Sequence, residues 1–468
     1  MCIRDRYYTE DNTRITKAND SLTPDSQRFK MYEGFIGVGD STKVFAEVGY
    51  RFRTNDSLRS NRIERVNTSQ TYFLKSQLLQ NKKTSLGLFV NYRTLDFEEA
   101  TRESENSLNS RLLYDQRFAK DIIQLNTIFE TNSGTQPQQE FTFVAIEEGQ
   151  GTHTWNDYNS DGIQQLEEFE IAQFQDEADF IRVLLPNQIF IRTHQNRLSS
   201  QLTLNPQQWN GQKGVKKFLS RFYNLTNYSI DRRILRDGQS FSINPFESDD
   251  NELSLALSFR NALSFNRGKQ HFSTTYSYLI NESTNLLSTG LQSADLQSHQ
   301  INFLHKIKKS WVFNFQGITG SNSSSSENFP SRNFELVTTS ANPRISYLFS
   351  KQSRLSFLYT YQNSENKLSG LESLQQNSFG MAFAVADVQK ISLTGEFNYI
   401  DNRFRGSAFS PVAYQILEGL QPGTNFTWNL IAQKRITKFL DLNLSYFGRK
   451  SDGSSTIHTG NVQLKAFF

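Results

Sequence analysis

The sequence predicts an all-β chain: a single large antiparallel transmembrane β-barrel of about 18–20 strands, within the bacterial range, carrying one long extracellular insertion. Three observations predict it. Apolar and polar residues alternate with a period of two through most of the 468 residues, the mark of strands with one greasy and one wet face. Mean hydropathy is low at -0.58 while aromatics reach 13%, the balance of a wall that faces water on one side and carries aromatic girdles on the other. Short and long polar links alternate along the chain, as the turns and loops at the two ends of a membrane barrel do.

Composition removes several classes. Net charge is +3 from 50 basic and 47 acidic residues, with no basic stripe, which speaks against nucleic acid as a partner. No apolar run approaches the length of a membrane helix. Cys2 is the single cysteine, so no internal disulfide forms. The opening, Met1 to Arg6, has charges but no apolar core of a signal peptide. Residues 1–30 are therefore expected to be a truncated or artefactual N-terminal segment, at most a remnant strand, with the true N-terminus missing.

From there the strands follow in order. The first part of the barrel is expected over 31–131: Val44, Ala46, Val48, Tyr50 and Phe52 alternate with Glu47, Gly49 and Arg51, and Leu86, Leu88, Val90 and Tyr92 with Gly87, Asn91 and Arg93. The remainder, 188–468, is cleaner. Leu355, Phe357, Tyr359 and Tyr361 oppose Ser356, Thr360 and Gln362; Phe426, Trp428 and Leu430 oppose Thr427 and Asn429. The polar face mixes Ser, Asn, Gln, Gly and Arg, as a crowded lumen would, where the solvent face of a soluble sandwich favours Thr, Lys and Glu. Tight links fall near Asn81–Lys83, Lys120–Asp121, Lys308–Lys309, Ser350–Gln352, Asp387–Gln389 and Thr437–Lys438, and longer ones over 321–332, 363–374 and 401–423. Ser321 to Asn328, low in complexity, reads as a flexible external loop. Strands of about 10–15 residues suit a tilted membrane crossing. With Phe468 on the periplasmic side, every tight link falls there too, provided 132–187 is one external excursion.

That excursion holds the one site-like motif. Asp157-Tyr158-Asn159-Ser160-Asp161-Gly162-Ile163, with Glu168 five residues on, satisfies D-x-[DN]-x-[DN]-G-x5-E, the calcium loop of an EF-hand. Asp157, Asn159 and Asp161 bring hard oxygens to one point, Gly162 permits the sharp turn, Ile163 offers its carbonyl, Gln165 holds a water, and Glu168 closes the shell with two oxygens. A helix is expected over Leu166 to Val183; Gly149 to Trp155 is not helical. The expected ion is a structural Ca2+, bound weakly, on the order of 0.1–1 mM for extracellular modules. The alternative is an acidic turn capping a helix. The six histidines, 153, 194, 271, 299, 305 and 458, show no metal spacing. No nucleophile elbow or phosphate loop is present, and the chain is expected not to be an enzyme.

Two resemblances join these readings. The closing alternation of Gly460, Val462, Leu464 and Ala466 with Asn461, Gln463 and Lys465, ending on Phe468, resembles the C-terminal signature of bacterial outer-membrane β-barrels. It implies outer-membrane lipid and the barrel assembly machinery as partners, with the C-terminus periplasmic. The run from Gly149 through Trp155 and the acidic loop to Glu168-Phe169-Glu170, then Ala178, Ile181-Arg182 and Pro186, looks like a segment of large outer-membrane proteins of Bacteroidota. It implies lineage and compartment, and no activity. Two function classes follow: a transport or translocation pore, its lumen plugged, or a barrel anchor for surface display with a calcium-stabilised external loop. A soluble secreted β-sandwich is the third reading.

Overall fold

The computed structural model describes residues 2–466 except 13–14, 17–20, 24, 41–42, 60–61, 100–101, 138–139, 186–189, 237, 239–240, 248–250, 270, 288–289, 369–371, 388–390 and 438. Pro186 and Asn187 at the end of the insertion, the links at Val388–Gln389 and Lys438, and the terminal Phe467 and Phe468 lie outside the described residues.

The expected fold class holds. Twenty strands, from Cys2–Asn12 to Ile457–Ala466, belong to one antiparallel sheet. The chain divides into two compact units, one of residues 1–138, 188–205 and 226–258, the other of 139–187, 206–225 and 259–468.

In the first unit, eight strands pair in succession: Cys2–Asn12, Gln27–Gly39, Phe45–Arg59, Arg62–Gln80, Thr84–Phe97, Glu105–Phe118, Ile123–Pro137 and Phe190–Leu204. The segment read as truncated or artefactual thus supplies a strand, in register from Cys2 opposite Gly37 to Asn12 opposite Gln27. Its period was hidden because both of its faces carry charged or tyrosine side chains. Ile123–Pro137 stays paired with Phe190–Leu204 up to Pro137 opposite Phe190. The insertion therefore leaves between two adjacent antiparallel strands, and leaves after Pro137 rather than at Asn132.

In the second unit, ten strands from Phe272–Leu287 to Ile457–Ala466 each pair with the next. Most have the expected 10–15 residues, and three are longer: Phe272–Leu287 has 16, Gly290–Ile307 has 18 and Trp311–Ser326 has 16. Ser321 to Ser326, expected to be a flexible loop, continue the ladder from Ser321 opposite Gln297 to Ser326 opposite Gln292. A serine run carries no hydrophobic period, yet its backbone groups pair as well as any others once a neighbouring strand is extended beside them.

The two faces of this unit are inverted relative to a soluble sheet. Small polar side chains are buried: Ser346 is 5% exposed, Ser356 3%, Ser364 2%, Asn366 1%, Asn402 2% and Asn425 0%. Large apolar ones on the other face are open: Phe357 is 53% exposed, Phe379 57%, Met381 46%, Phe397 45% and Val462 68%. Buried hydroxyls and amides pair with one another, Ser346 with Ser356 at 2.8 Å and Thr338 with Ser364 at 2.9 Å, which offsets their desolvation. On the apolar face Gly448 stands opposite Trp428, and the indole lies over the space a Cβ would fill.

Candidate functional site

The candidate site is the insertion and its seat on the second unit. Four short strands, Glu140–Ala145, His153–Trp155, Phe169–Ile171 and Phe180–Leu185, form a sheet of their own. Phe169 and Phe180, 4% and 8% exposed, make its core, with Phe143 stacked on Phe169 at 4.2 Å between centroids. The helix expected over Leu166 to Val183 is absent. In its place are single 3-10 turns at Leu166–Glu168 and Gln175–Glu177 and the strands Phe169–Ile171 and Phe180–Leu185. The segment's phenylalanines at 169 and 180 serve a strand core, and Phe174 lies under Arg449.

The acidic loop is folded as its spacing requires at its start. The Asp157 carboxylate accepts from the N–H groups of Asp161 at 3.1 Å and Gly162 at 2.9 Å, and the Asn159 carbonyl accepts from Asp161 N–H at 2.9 Å. Asp161 accepts from Ile163 N–H at 2.6 Å and from the Gln165 amide at 2.6 Å. Gly162 has φ 72°, the left-handed turn for which glycine is suited. Glu168 stands apart. It is 2% exposed, one oxygen accepts from Trp155 Nε1 at 2.8 Å, and the other is buried with no hydrogen-bond partner. Among the described residues no three acidic, histidine or cysteine side chains are grouped closely enough to hold a metal ion. The structure brings Asp157, Asn159, Asp161 and Gln165 together, while one Glu168 oxygen stays buried and unpartnered.

The seat was not visible as such in the sequence. The link 406–422, read as loop, contains the helix Pro411–Leu417. Its signals are local: Ser410 caps the N-terminus by accepting from Ala413 N–H at 3.1 Å, proline starts the helix, and Glu418 and Gly419 end it at φ 53° and 73°. Val412, Ala413, Ile416 and Leu417 pack on Leu336 and Leu374 of the sheet's polar face, with Phe334 and Phe404 alongside. This small apolar core in a polar wall gives the insertion something rigid to rest on.

Contacts from several elements then pin the insertion. Arg332 pairs with the buried Glu170 at 3.0 Å, and Gln415 donates to the same oxygen at 3.3 Å. Gln173 N–H donates to the Tyr414 hydroxyl at 3.0 Å. Arg449 donates to both Asp176 and Glu177 and lies 4.0 Å over the Phe174 ring. Tyr158 and Phe409 meet at 5.3 Å. All of this lies at the end of the strands that bears links 327–333, 406–422 and 452–456.

Burial raises the pKa of Glu170 above the usual carboxylate value, against the pull of Arg332; it likewise raises Glu177, against Arg449, and Glu418. Tyr414 is pushed up to about 12, mainly by burial. A carboxyl whose pKa is higher when docked holds its proton more tightly there, so the docked state weakens as pH rises from the ordinary 4.5 through the raised values. Protection of the insertion from protease should therefore be greater at pH 5 than at pH 8. Greater protection at pH 8 would mean that the ion pairs to Arg332 and Arg449 outweigh burial.

No family model matches the chain, and no curated protein matches it. Among solved structures, the siderophore receptor PirA from Pseudomonas aeruginosa aligns with TM-score 0.39 and 7% identity over 100% of this chain and 73% of its own. The copper transporter OprC aligns with TM-score 0.37 and 10% identity over 95% and 69%. The ferric-catecholate import receptor Fiu from Escherichia coli K12, in its open form, aligns with TM-score 0.34 and 8% identity over 95% and 72%. At such identities and scores these likenesses carry nothing about what this chain binds.

Proposed function

We propose that the chain is a non-enzymatic β-barrel of a bacterial outer membrane that works as a plugged transporter or translocation pore. One observation carries the reading: the ten-strand unit buries polar residues such as Ser356, Ser364, Asn402 and Asn425 on one face and leaves Phe357, Phe379 and Phe397 open on the other. In water that arrangement costs free energy on both faces; in lipid it is the arrangement that belongs. The helix Pro411–Leu417 and the insertion above it cover the polar face at one end of this unit, as a plug or lid would. On this reading that end is extracellular, and the last strand, Ile457–Ala466, is what the assembly machinery engages. An origin in Bacteroidota rests on the segment from Gly149 to Pro186 alone. Conductance across planar bilayers tests transport: wild type should be nearly closed and should open when the insertion is undocked. A silent bilayer in both states would favour the display anchor.

We further propose that the acidic loop binds one calcium ion, held by Asp157, Asn159, Asp161 and the Ile163 carbonyl, with Glu168 supplying its free oxygen. The support is the set of hard oxygens, the turn at Gly162, and the unpartnered buried oxygen of Glu168. Affinity on the order of 0.1–1 mM is expected. Protease cleavage within 157–168 should be suppressed by millimolar calcium, restored by chelator, and insensitive to calcium in Asp157→Ala. Equal cleavage in all conditions would refute the ion.

A further inference from the structure

At the foot of the docked insertion lies a cavity of about 290 Å³ that neither the pore reading nor the calcium loop uses. Its wall on the sheet side is made by Gln292 and Ala294 of the strand Gly290–Ile307 and by Asn322 and the serines of the strand Trp311–Ser326. Glu170 of the insertion closes it from above, and Phe329, Phe334 and Pro411 line its sides.

Two of its lining residues carry buried polar atoms with no partner: one carboxylate oxygen of Glu170 and the hydroxyl of Ser326. Glu170 is 2% exposed. A buried polar atom left unpaired is destabilising, and here two such atoms belong to residues lining one cavity. The charge is already balanced, because Arg332 pairs with the other Glu170 oxygen at 3.0 Å. Neither a free cation nor a free anion finds an uncompensated partner. What remains is a set of hydroxyls and side-chain amides, each able to donate and to accept, beside two phenylalanine rings and a proline.

We propose that this cavity binds a neutral polyhydroxylated ligand, of monosaccharide to disaccharide size. Hydroxyl groups both donate and accept, so they satisfy Glu170 as donors and the Ser and Asn side chains in either sense. The C–H face of a sugar ring rests on Phe329 and Phe334. The volume falls near the lower end of small-molecule pockets, about 300 Å³, which limits the ligand to one or two rings. Binding here requires the docked insertion, since Glu170 comes from it, but does not require that the barrel conduct.

Saturation-transfer NMR on the full chain in an amine-oxide detergent, free of sugar headgroups, tests this. The probes are maltose, cellobiose and N-acetylglucosamine, with glucuronic acid and spermidine as charged controls. At least one neutral sugar should bind to wild type. Its signal should fall at least tenfold in Ala294→Phe, which fills the cavity from the sheet side, and also in Ser326→Ala. An unchanged heat-induced gel shift shows that each variant has folded. The proposal is overturned if no neutral sugar binds, if Ala294→Phe leaves binding intact, or if only the charged probes bind. None of these outcomes bears on bilayer insertion, which the gel shift reads separately.

Discussion

Met381→Arg is expected to lower the stability of the protein refolded into lipid vesicles by about 2–4 kcal/mol, the cost of an arginine facing lipid near the bilayer midplane. Met381 sits near the middle of the strand Ser373–Asp387, on the face that also shows Phe379 and Val385, and is 46% exposed. In water, an arginine at such a position would be close to neutral, since surface substitutions seldom exceed about 0.5 kcal/mol. The substitution thus separates lipid from water as the medium of this face. Gln376→Arg, one strand face over, serves as the control and should cost far less, because its neighbours are polar and it already hydrogen-bonds Asn402 at 2.9 Å. Urea titration of both variants in vesicles gives the comparison. Equal, small effects would favour the soluble sandwich over the membrane barrel.

Arg449→Ala should release the insertion. The arginine is 11% exposed and satisfies two carboxylates at once, Asp176 and Glu177, while covering Phe174. Removing one partner of a fully buried pair costs about 3–5 kcal/mol. Here the carboxylates are 21% and 30% exposed, so the loss should fall nearer 2–3 kcal/mol than the full figure. Glu177 then keeps the hydrogen bond from the Tyr414 hydroxyl at 3.4 Å. The expected result is faster proteolysis between 140 and 185, an intact strand domain on the same gel, and higher bilayer conductance. Unchanged proteolysis would show that Arg332, Tyr414 and the helix Pro411–Leu417 hold the insertion without Arg449.

The strands were legible because each requires only a period of two, and residues such as Phe357 beside Ser356 declare it locally. Strand ends were not. Ser321–Ser326 and Asn363–Asn366 look like loop because the ladder there depends on a partner strand, not on their own side chains. The first strand escaped notice for a similar reason: Arg4, Arg6, Asp5 and Glu10 leave no greasy face. In the site, the acidic loop was readable because its geometry is encoded within seven residues. The helix expected after it was not formed, since Phe169 and Phe180 are drawn into a four-stranded sheet. The docking cluster joins Glu170 to Arg332 and Asp176 to Arg449, pairs more than 150 residues apart in sequence, and no single-sequence spacing announces them.

The central claim is that these strands form a barrel stable in a membrane-like medium. Electrophoretic mobility after refolding into detergent, with and without boiling, tests it most directly. The account predicts a fast band unheated that shifts to 54.0 kDa on boiling. A protein that stays soluble without detergent and migrates identically before and after boiling would contradict it.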